Sequence, residues 1–238
     1  MSDSIVIIPT YNERENIQRM IDTVFSLSKD FHLLIVDDSS PDGTVDIVRA
    51  NQSKYPNRLF LEVRQSKSGL GAAYIHGFKW ALRNPYEYIF EMDCDFSHNP
   101  ADLLRLYHAC HNDKADLAIG SRYVKGGKIS NWPWERKLLS FGASLYVRLI
   151  TWMPINDATA GFKCYHFRVL QQINFDKIQF LGYAFQIEMK YKSWLHGFRI
   201  VEVPIVFTDR EAGASKMNKS IIKEAILGVW SMRFRGKL

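Results

Sequence analysis

The chain has 238 residues, of which 47% are hydrophobic and 24% are charged, and its formal net charge is +6. This length and composition allow a substantial buried core, so a disordered protein is excluded and one main domain is expected. The positive charge favours an anionic partner, but the basic residues form no recognised binding module for nucleic acid, so no nucleic-acid partner is predicted.

Short apolar runs alternate with amphipathic stretches through the first half of the chain. The predicted strands cover residues 4–9, 31–37, 59–63, 86–92 and 115–120, and the predicted helices cover 15–28, 44–54, 70–82 and 100–112. This alternation predicts an α/β fold in which helices cover both faces of a doubly wound, mostly parallel sheet. Ligands of such sheets bind beyond the carboxyl ends of the strands.

The second half is less regular and is predicted to complete the same domain, over residues 1–217. A connector rich in Gly and Trp is followed by predicted elements over 137–152 (helix), 160–165 (strand), 184–196 (helix) and 199–207 (strand pair). Apolar residues that recur every three to four positions predict an amphipathic helix over 218–238. Two interpretations of that helix stay open: association with an anionic membrane surface, and packing against its own domain.

Two carboxylates follow the fourth predicted strand, in the sequence Asp93-Cys94-Asp95. If the chain turns there, both side chains can reach one point beyond the sheet. Hard divalent cations such as Mg²⁺ prefer carboxylate oxygens and often share them with substrate phosphates. The alternative for an isolated pair of this kind is a solvated turn with acids that cap the next helix.

The ends of the first two predicted strands carry groups that suit a nucleotide. Tyr11 and Glu13 combine an aromatic ring with a carboxylate, so they can stack on a nucleobase and bond to it. Asp38 lies well before the next helix and can accept hydrogen bonds from a base or a ribose. Asp42 or Thr44 is predicted to cap that helix.

Three other features of the sequence bear on its chemistry. Arg122 follows the fifth predicted strand, and a guanidinium can clamp phosphate oxygens bidentately. The segment Gly69-Leu70-Gly71 resembles a phosphate loop only weakly, and close packing of a helix on the sheet is expected instead. Most histidines, including His76 and His98, have no metal-ligand partners in the sequence, and no chemistry is assigned to them.

The motifs occur together in a recognisable order. The chain reads I-P-T-Y-N-E over 8–13, V-D-D-S-S-P-D-G-T over 36–44, D-x-D over 93–95 and G-S-R-Y-V-K-G-G over 120–127. This set resembles the family 2 glycosyltransferases, which have a Rossmann-like GT-A fold, and within them the dolichol- and polyprenol-phosphate mannose synthases. Further matches over 131–133, 136–137, 160–162 and 213–217 extend the resemblance over nearly the whole chain.

The resemblance implies an activity and a cofactor. The implied reaction is inverting transfer of mannose from GDP-mannose to a dolichyl or polyprenyl phosphate, with Mg²⁺ or Mn²⁺ as the divalent cation. A close alternative is the same transfer from UDP-glucose or another nucleotide sugar. An alternative of another class is a protein that binds nucleotide or scaffolds a membrane without turnover.

The resemblance also assigns site residues. The implied nucleotide-sugar site comprises Pro9, Tyr11, Glu13, Val36, Asp38, Asp93, Cys94, Asp95, Ser97, Arg122, Arg210 and Lys216. Within it, Asp93 and Asp95 are the implied metal ligands, and the implied catalytic residues are Asp95, Arg122, Arg210 and Lys216. Ser97 stands where related chains often have Gln, and its hydroxyl is a shorter and weaker ligand. Arg136 is implied to hold the acceptor phosphate.

The location of the protein follows from what the sequence lacks. Its longest apolar runs fall far short of the roughly 20 residues of a membrane-spanning helix, and its first residues lack the blocks of a secretory signal. The three cysteines have no close pair spacing, so no disulfide framework or zinc site is predicted. A cytoplasmic protein is expected, peripheral on the cytoplasmic face of a membrane, with its lipid delivered by the C-terminal helix or a separate membrane subunit.

Overall fold

The computed structural model describes residues 2–209 and 228–234. Its strands are β1 (Ser4–Thr10), β2 (His32–Asp37), β3 (Leu59–Val63), β4 (Tyr88–Glu91), β5 (Leu117–Ser121), β6 (Lys128–Ile129), β7 (Lys163–His166), β8 (Ile200–Pro204) and β9 (Val206–Phe207). Its helices are α1 (Arg14–Phe25), α2 (Thr44–Gln52), α3 (Leu70–Ala81), α4 (Asp102–His111), α5 (Trp134–Thr151), α6 (Phe167–Gln172) and α7 (Ala184–Leu195). Residues 228–234 are also helical.

The central sheet has seven strands in the order β3-β2-β1-β4-β7-β5-β8. All neighbouring pairs are parallel except those of β7, which runs antiparallel to both β4 and β5. The predicted mostly parallel sheet is therefore confirmed. The two strands predicted over 199–207 do not pair with each other, because β8 pairs with β5 and β9 pairs with β6 in a separate small sheet.

Helices cover both faces of the sheet, as predicted. In β1, Ile5 and Ile7 join the cluster that contains α3 and α7, whereas Val6 and Ile8 join the cluster that contains α1, α2 and α4. This alternation follows from the twofold side-chain period of a strand. Each fully buried aliphatic side chain contributes about 1.5–3 kcal/mol to the stability of the fold. These two layers therefore hold in place the sheet that carries the strand ends.

Glycines let helix α3 approach its neighbours closely. A Cβ atom on Gly77 would lie 2.6 Å from Ile7 of the sheet, and one on Gly71 would lie 2.6 Å from the ring of Phe185 in α7. Gly69 has a φ of +98° and would bring a Cβ within 2.6 Å of the Leu181 carbonyl oxygen. The expectation for Gly69 and Gly71 therefore needs a correction, because both pack against α7 and the segment before it and not against the sheet.

The order of the strands decides where a ligand can bind. Strands β1, β2 and β4 lie side by side, so their carboxyl ends meet at one edge. Since β7 is antiparallel, the segment 160–162 that precedes it also reaches this edge, and so do the carboxyl ends of β5 and β8. Among the described residues, no helix is long and apolar enough to cross a membrane.

Candidate active site

The loops after β1 and β2 are tied together by one buried carboxylate. Asp37 accepts hydrogen bonds from the Thr10 hydroxyl (2.6 Å) and from the backbone nitrogen of Ser40 (2.7 Å). The Ser40 hydroxyl in turn accepts a hydrogen bond from the backbone nitrogen of Asn12 (3.0 Å). Asp37 is thus used for structure, and this leaves its neighbour Asp38 as the acid at the end of β2 that can serve a ligand.

Asp38 lies beside a cation that the sequence analysis did not identify. Its Oδ1 atom is 3.1 Å from an Nη atom of Arg64, and its side chain is almost fully buried. Burial raises the pKa of Asp38 above its ordinary value, and the charge of Arg64 opposes that rise only in part. A hydrogen-bond donor on a ligand would therefore stabilise the ionised form of Asp38.

Tyr11 and Glu13 lie at the carboxyl end of β1, as predicted. The ammonium of Lys67 is 4.0 Å from the centre of the Tyr11 ring, a distance typical of a cation–π contact. The Glu13 carboxylate accepts a hydrogen bond from the Asn16 amide (2.9 Å), and Glu13 occupies the N-cap position of α1. Both side chains are half-buried, so each retains a face toward solvent.

The next helix, α2, starts differently from the prediction. Gly43 occupies its N-cap, so neither predicted residue holds that position. The Asp42 carboxylate still accepts a hydrogen bond from the Thr44 backbone nitrogen (3.0 Å). Thr44 instead accepts a hydrogen bond from the backbone nitrogen of Glu13 (3.1 Å), which joins the starts of the two helices.

The two acids after β4 have different surroundings. About a third of the Asp93 side chain is exposed (35%), and its Oδ1 lies 3.4 Å from the hydroxyl of Tyr74. Asp95 is buried, and its Oδ1 accepts a hydrogen bond from the Ser97 backbone nitrogen (3.1 Å). Cys94 is buried between them in the core. Ser97 therefore stabilises this loop through its backbone nitrogen, in a contact that does not involve its hydroxyl.

His98 lies in this site, although the sequence pattern assigned no chemistry to it. Its ring is buried against Phe162 and Phe207, and its Nδ1 is 4.0 Å from Asp93 Oδ2. Burial lowers the pKa of His98 to about 4, so the ring is neutral at physiological pH. Within the described part of the chain, Nδ1 has no hydrogen-bond partner. The spacing of residues in the sequence could not predict this position of His98, because the position depends on the turn at Phe96.

Arg122 is held by a buried carboxylate that the sequence analysis missed. Asp157 accepts hydrogen bonds from Arg122 Nε (2.7 Å), from one of its Nη atoms (2.6 Å) and from its backbone nitrogen (2.9 Å). Thr159 accepts another from the guanidinium (2.7 Å). Burial alone would lower the pKa of Arg122, but Asp157 holds it above its ordinary value. The guanidinium is thus a fixed positive charge.

Arg122 and Arg136 converge on the indole of Trp132. The guanidinium carbons lie 6.0 and 3.8 Å from the ring centre, respectively. Arg136 also pairs with Asp209 at 3.1 Å. A cavity of about 380 Å³ opens beside Arg122, and its lining includes Tyr123, Lys128, Lys137, Leu138 and Phe141. Two of these residues are cationic and the others carry apolar rings or chains, a combination that suits an amphipathic anion.

A buried polar cluster supports the acids after β4. Glu91 at the end of β4 lies 3.1 Å from the ammonium of Lys163 and accepts a hydrogen bond from the Gln186 amide (2.8 Å). Lys190 donates to the carbonyl oxygen of Ala160 (2.5 Å). Burial lowers the pKa of both lysines. These bonds fix the segment 160–162, where a Cβ on Gly161 would lie 3.9 Å from Asp93 Oδ2.

The structure brings most of the predicted site residues to the same edge of the sheet. Pro9 and Val36 are register partners in β1 and β2, directly before the two loops. Arg210 and Lys216 lie outside the described residues, as does most of the predicted helix over 218–238. Thr208, near the end of the first described range, lies at this edge, because its backbone nitrogen donates to the Ser97 carbonyl oxygen (3.1 Å).

Relatives of the chain carry informative names. A polyprenol monophosphomannose synthase of Mycolicibacterium smegmatis is 46% identical, over 99% of this chain and 88% of that protein. An undecaprenyl-phosphate mannosyltransferase of Micrococcus luteus is 43% identical, over 97% of this chain and 95% of that protein. A dolichol-phosphate mannosyltransferase of Pyrococcus furiosus is 35% identical, over 98% of this chain and 64% of that protein.

Solved structures confirm the predicted GT-A fold. A glucosyl-3-phosphoglycerate synthase of Mycobacterium tuberculosis, in complex with Mn²⁺, UDP and glucosyl-3-phosphoglycerate, matches with a TM-score of 0.69 at 14% identity, over 97% of this chain and 79% of that one. A mannosyltransferase of Pyrobaculum calidifontis, in complex with GDP-Man and Mn²⁺, matches with a TM-score of 0.58 at 16% identity, over 90% and 58%. At such identities the likeness shows the fold alone.

A match to a family model assigns the chain to a family, which the likeness of fold alone does not do. The model described as Glycosyl transferase family 2 matches residues 5–173, which include β1 to β7 and the two acids after β4. The predicted resemblance to this family is thereby confirmed. The roles of individual residues are tested by none of these findings and stay predictions. This chain is a member of glycosyl transferase family 2.

Proposed function

We propose that the chain transfers mannose from GDP-mannose to a polyprenyl phosphate, with inversion at the anomeric carbon. The observation that carries the proposal is the position of the Asp93 and Asp95 pair at the same sheet edge as the two guanidiniums of Arg122 and Arg136. The names of three relatives, all mannosyltransferases or mannose synthases of polyprenol or dolichol phosphates, support this acceptor and this sugar.

The acids after β4 suit a hard divalent cation such as Mg²⁺ or Mn²⁺. Asp93 is partly exposed and Asp95 is buried, so the pair offers carboxylate oxygens at the boundary between core and solvent. Within residues 2–209 and 228–234, no cluster of three His, Cys, Asp or Glu side chains could hold a metal. The donor diphosphate or water would therefore complete the coordination shell.

The chain's own residues have distinct parts in the proposed reaction. Tyr11 would stack on the nucleobase, and Asp38 would accept hydrogen bonds from the nucleoside. When bound, the divalent cation offsets negative charge on the diphosphate leaving group. Arg122 adds a fixed positive charge to the same region, since Asp157 prevents it from moving. This preorganised charge stabilises the transition state more than it would in water.

The acceptor phosphate, held by Arg136, is already an anion, so no strong general base is needed. One of its oxygens attacks the anomeric carbon and forms the new bond. The bond from that carbon to the diphosphate oxygen breaks, and the electron pair leaves with GDP. A single displacement of this kind inverts the configuration of the sugar.

A donor panel tests the proposal. Purified full-length chain is incubated with one short-chain polyprenyl phosphate and with GDP-mannose, UDP-glucose or UDP-galactose, in Mg²⁺ or Mn²⁺. We expect mannosyl transfer from GDP-mannose, with a product of opposite anomeric configuration by NMR spectroscopy. Faster transfer from a UDP-sugar would identify that sugar nucleotide as the donor in place of GDP-mannose. Intact GDP binding with no transfer from any donor would favour a binding protein without turnover.

A further inference from the structure

The buried segment that leads into β7 is open to solvent at one residue. Residues 160 and 162–165 are buried, with exposed fractions of 4% or less, whereas Gly161 between them is half-buried. Gly161 lies beside the first acid after β4, because a Cβ atom added to it would be 3.9 Å from Asp93 Oδ2. The segment is therefore open next to a predicted ligand of the metal.

Neither the backbone nor the packing around Gly161 explains why this residue is glycine. Its φ is not positive, so other residues can adopt its conformation. A Cβ atom there would lie 3.5 Å from the Gln186 amide nitrogen and 3.9 Å from Asp93 Oδ2, and both are ordinary van der Waals distances. A Cβ atom on Gly120 of β5 would instead lie 2.9 Å from the Phe162 ring. The packing of the chain thus requires glycine at position 120 but not at position 161.

A bound ligand would explain a glycine at this position. Glycine has more freedom in the unfolded chain than alanine has, so a glycine that the fold does not need lowers stability. Glycine is also the residue that lets a ligand approach the backbone closely. Because the segment 160–162 reaches the edge of the sheet that carries Asp93, a ligand over Gly161 would lie within the candidate active site.

The backbone is held on both sides of Gly161. On one side, the buried ammonium of Lys190 donates to the Ala160 carbonyl oxygen (2.5 Å). On the other side, the Gly120 backbone nitrogen donates to the Phe162 carbonyl oxygen (2.9 Å). A side chain added at position 161 would therefore fill the space above the segment, because these bonds oppose a retreat of the backbone.

The same segment connects the two charged parts of the site. Asp157 and Thr159 accept hydrogen bonds from the Arg122 guanidinium (2.6 and 2.7 Å), and Gly161 lies against Asp93. In the proposed reaction, the donor diphosphate lies at the acids after β4 and the acceptor phosphate lies at the arginines. The anomeric carbon must lie between the leaving and the attacking oxygens. The sugar therefore lies between these two parts, in the region that Gly161 borders.

We propose that the open space over Gly161 holds the sugar ring of the nucleotide-sugar donor. Gly161 is then a specificity-determining residue, because its lack of a side chain lets a hexose lie against the backbone. This inference rests on the proposed function and deepens it, since it identifies the floor of the sugar subsite. The nucleoside diphosphate alone does not need this space, and this difference makes the inference testable.

Calorimetry with and without the sugar tests the inference. Full-length chain is titrated with GDP or with GDP-mannose in Mn²⁺, and the acceptor is omitted so that no transfer occurs. Gly161→Ala should raise the Kd for GDP-mannose at least about tenfold, because one methyl group then occupies the space of the sugar. The Kd for GDP should stay within about twofold of the wild-type value. Gly161→Val fills more of the space and should weaken GDP-mannose binding further, again with little change for GDP.

A second glycine provides the matched control. Gly142 is exposed on α5, and a Cβ atom added to it would have no other atom within 4 Å. Gly142→Ala makes the same chemical change as Gly161→Ala and should bind both ligands like the wild type. Gly161→Ala should also unfold at a urea concentration no lower than the wild type does, because its new methyl group makes only ordinary contacts. A loss of GDP-mannose binding then reports on the sugar and not on folding.

Two results would overturn the inference. If Gly161→Ala weakens GDP and GDP-mannose equally, the methyl group disturbs the diphosphate or its metal ion and not the sugar. If it weakens neither ligand, the sugar lies elsewhere. Failure of the proposed function gives a different pattern. If the wild type transfers sugar only from a UDP-sugar, the titrations are repeated with UDP and that UDP-sugar, and a loss confined to the sugar-bearing ligand would still support the inference.

Discussion

The two halves of the candidate site are built in different ways. On the nucleotide side, the loops after β1 and β2 bond mainly to each other, as when Asp37 joins Thr10 to Ser40. On the cationic side, Arg122 depends on Asp157, 35 residues away, and Arg136 pairs with Asp209, 73 residues away. The first half is a pair of neighbouring turns, whereas the second is an assembly of distant segments.

This difference has an energetic consequence. The polar groups on the nucleotide side include half-exposed ones such as Tyr11 and Glu13, so water can replace a lost contact there. On the cationic side, Asp157 is fully buried and its partner is nearly so. Removing one member of a buried ion pair leaves an uncompensated charge and is strongly destabilising. Variants of half-exposed residues such as Tyr11 should therefore affect binding, whereas variants of the buried pair of Asp157 and Arg122 should also affect folding.

The largest effect is expected from the acid that lies between the two halves. Asp95→Ala should lower kcat for sugar transfer about 10³-fold, because electrostatic stabilisation of the leaving group is lost. Chelation of divalent cations should have a similar effect on the wild type. Asp46→Ala, at an exposed position on α2, is the matched control and should keep full activity. Equal rates in chelator and in Mg²⁺ or Mn²⁺ would exclude the metal role.

Breaking the buried pair tests the cationic side directly. Asp157→Asn should lower the free energy of unfolding in urea by about 3–5 kcal/mol, since Arg122 is left buried without its counter-charge. Asp46→Asn removes one acid of an exposed pair with Arg49, and its cost should stay below about 1 kcal/mol. Similar losses of unfolding free energy in both variants would mean that the buried pair of Asp157 stabilises the fold no more than an exposed pair does.

The pH dependence of Asp157 provides a second check. Burial alone would raise the pKa of Asp157, but Arg122 holds it below its ordinary value of 3.8. An acid with a lowered pKa stabilises the fold above its unfolded pKa, and this contribution is lost as pH falls through the folded pKa. The difference between wild type and Asp157→Asn should therefore shrink below pH 3.8 and be constant at neutral pH.

His98 interacts electrostatically with Asp95 and with Arg122. Burial lowers the pKa of His98 from 6.5 to about 4, so between these values the unfolded state binds the proton more readily. Stability should fall by about 3 kcal/mol as pH is lowered across this window. In chelator, urea unfolding of His98→Gln should lack this slope, whereas an identical slope in both proteins would assign it to other groups.

The fold and the meeting of the first two strand ends could be predicted from the sequence for a common reason. Alternating apolar runs determine a parallel α/β sheet, and motifs at adjacent strand ends must then meet. The reversed direction of β7 was not predictable, because an apolar strand carries no mark of its orientation. The partners of the cationic side, Asp157 and Asp209, were missed because only the folded chain brings them to the arginines. Lys163 and Lys190 were missed because nothing in a local pattern marks a buried lysine.

The smallest expected effect lies on the nucleotide side and concerns Tyr11. Its ring is half-buried and the Lys67 ammonium lies 4.0 Å from the ring centre, so one face of the ring is already in contact and the other face is the one that can receive a base. Stacking of a base on an aromatic ring contributes about 1–3 kcal/mol, and the low end is expected at a half-exposed ring. Tyr11→Ala should thus raise the Kd for GDP about fivefold, as measured by calorimetry, with no change in the free energy of unfolding beyond about 0.5 kcal/mol. Tyr11→Phe keeps the ring and should bind GDP like the wild type. If Tyr11→Ala binds GDP normally, the base does not lie on this ring. If it unfolds as readily as Asp157→Asn, the contrast between a half-exposed binding residue and a buried structural pair is wrong.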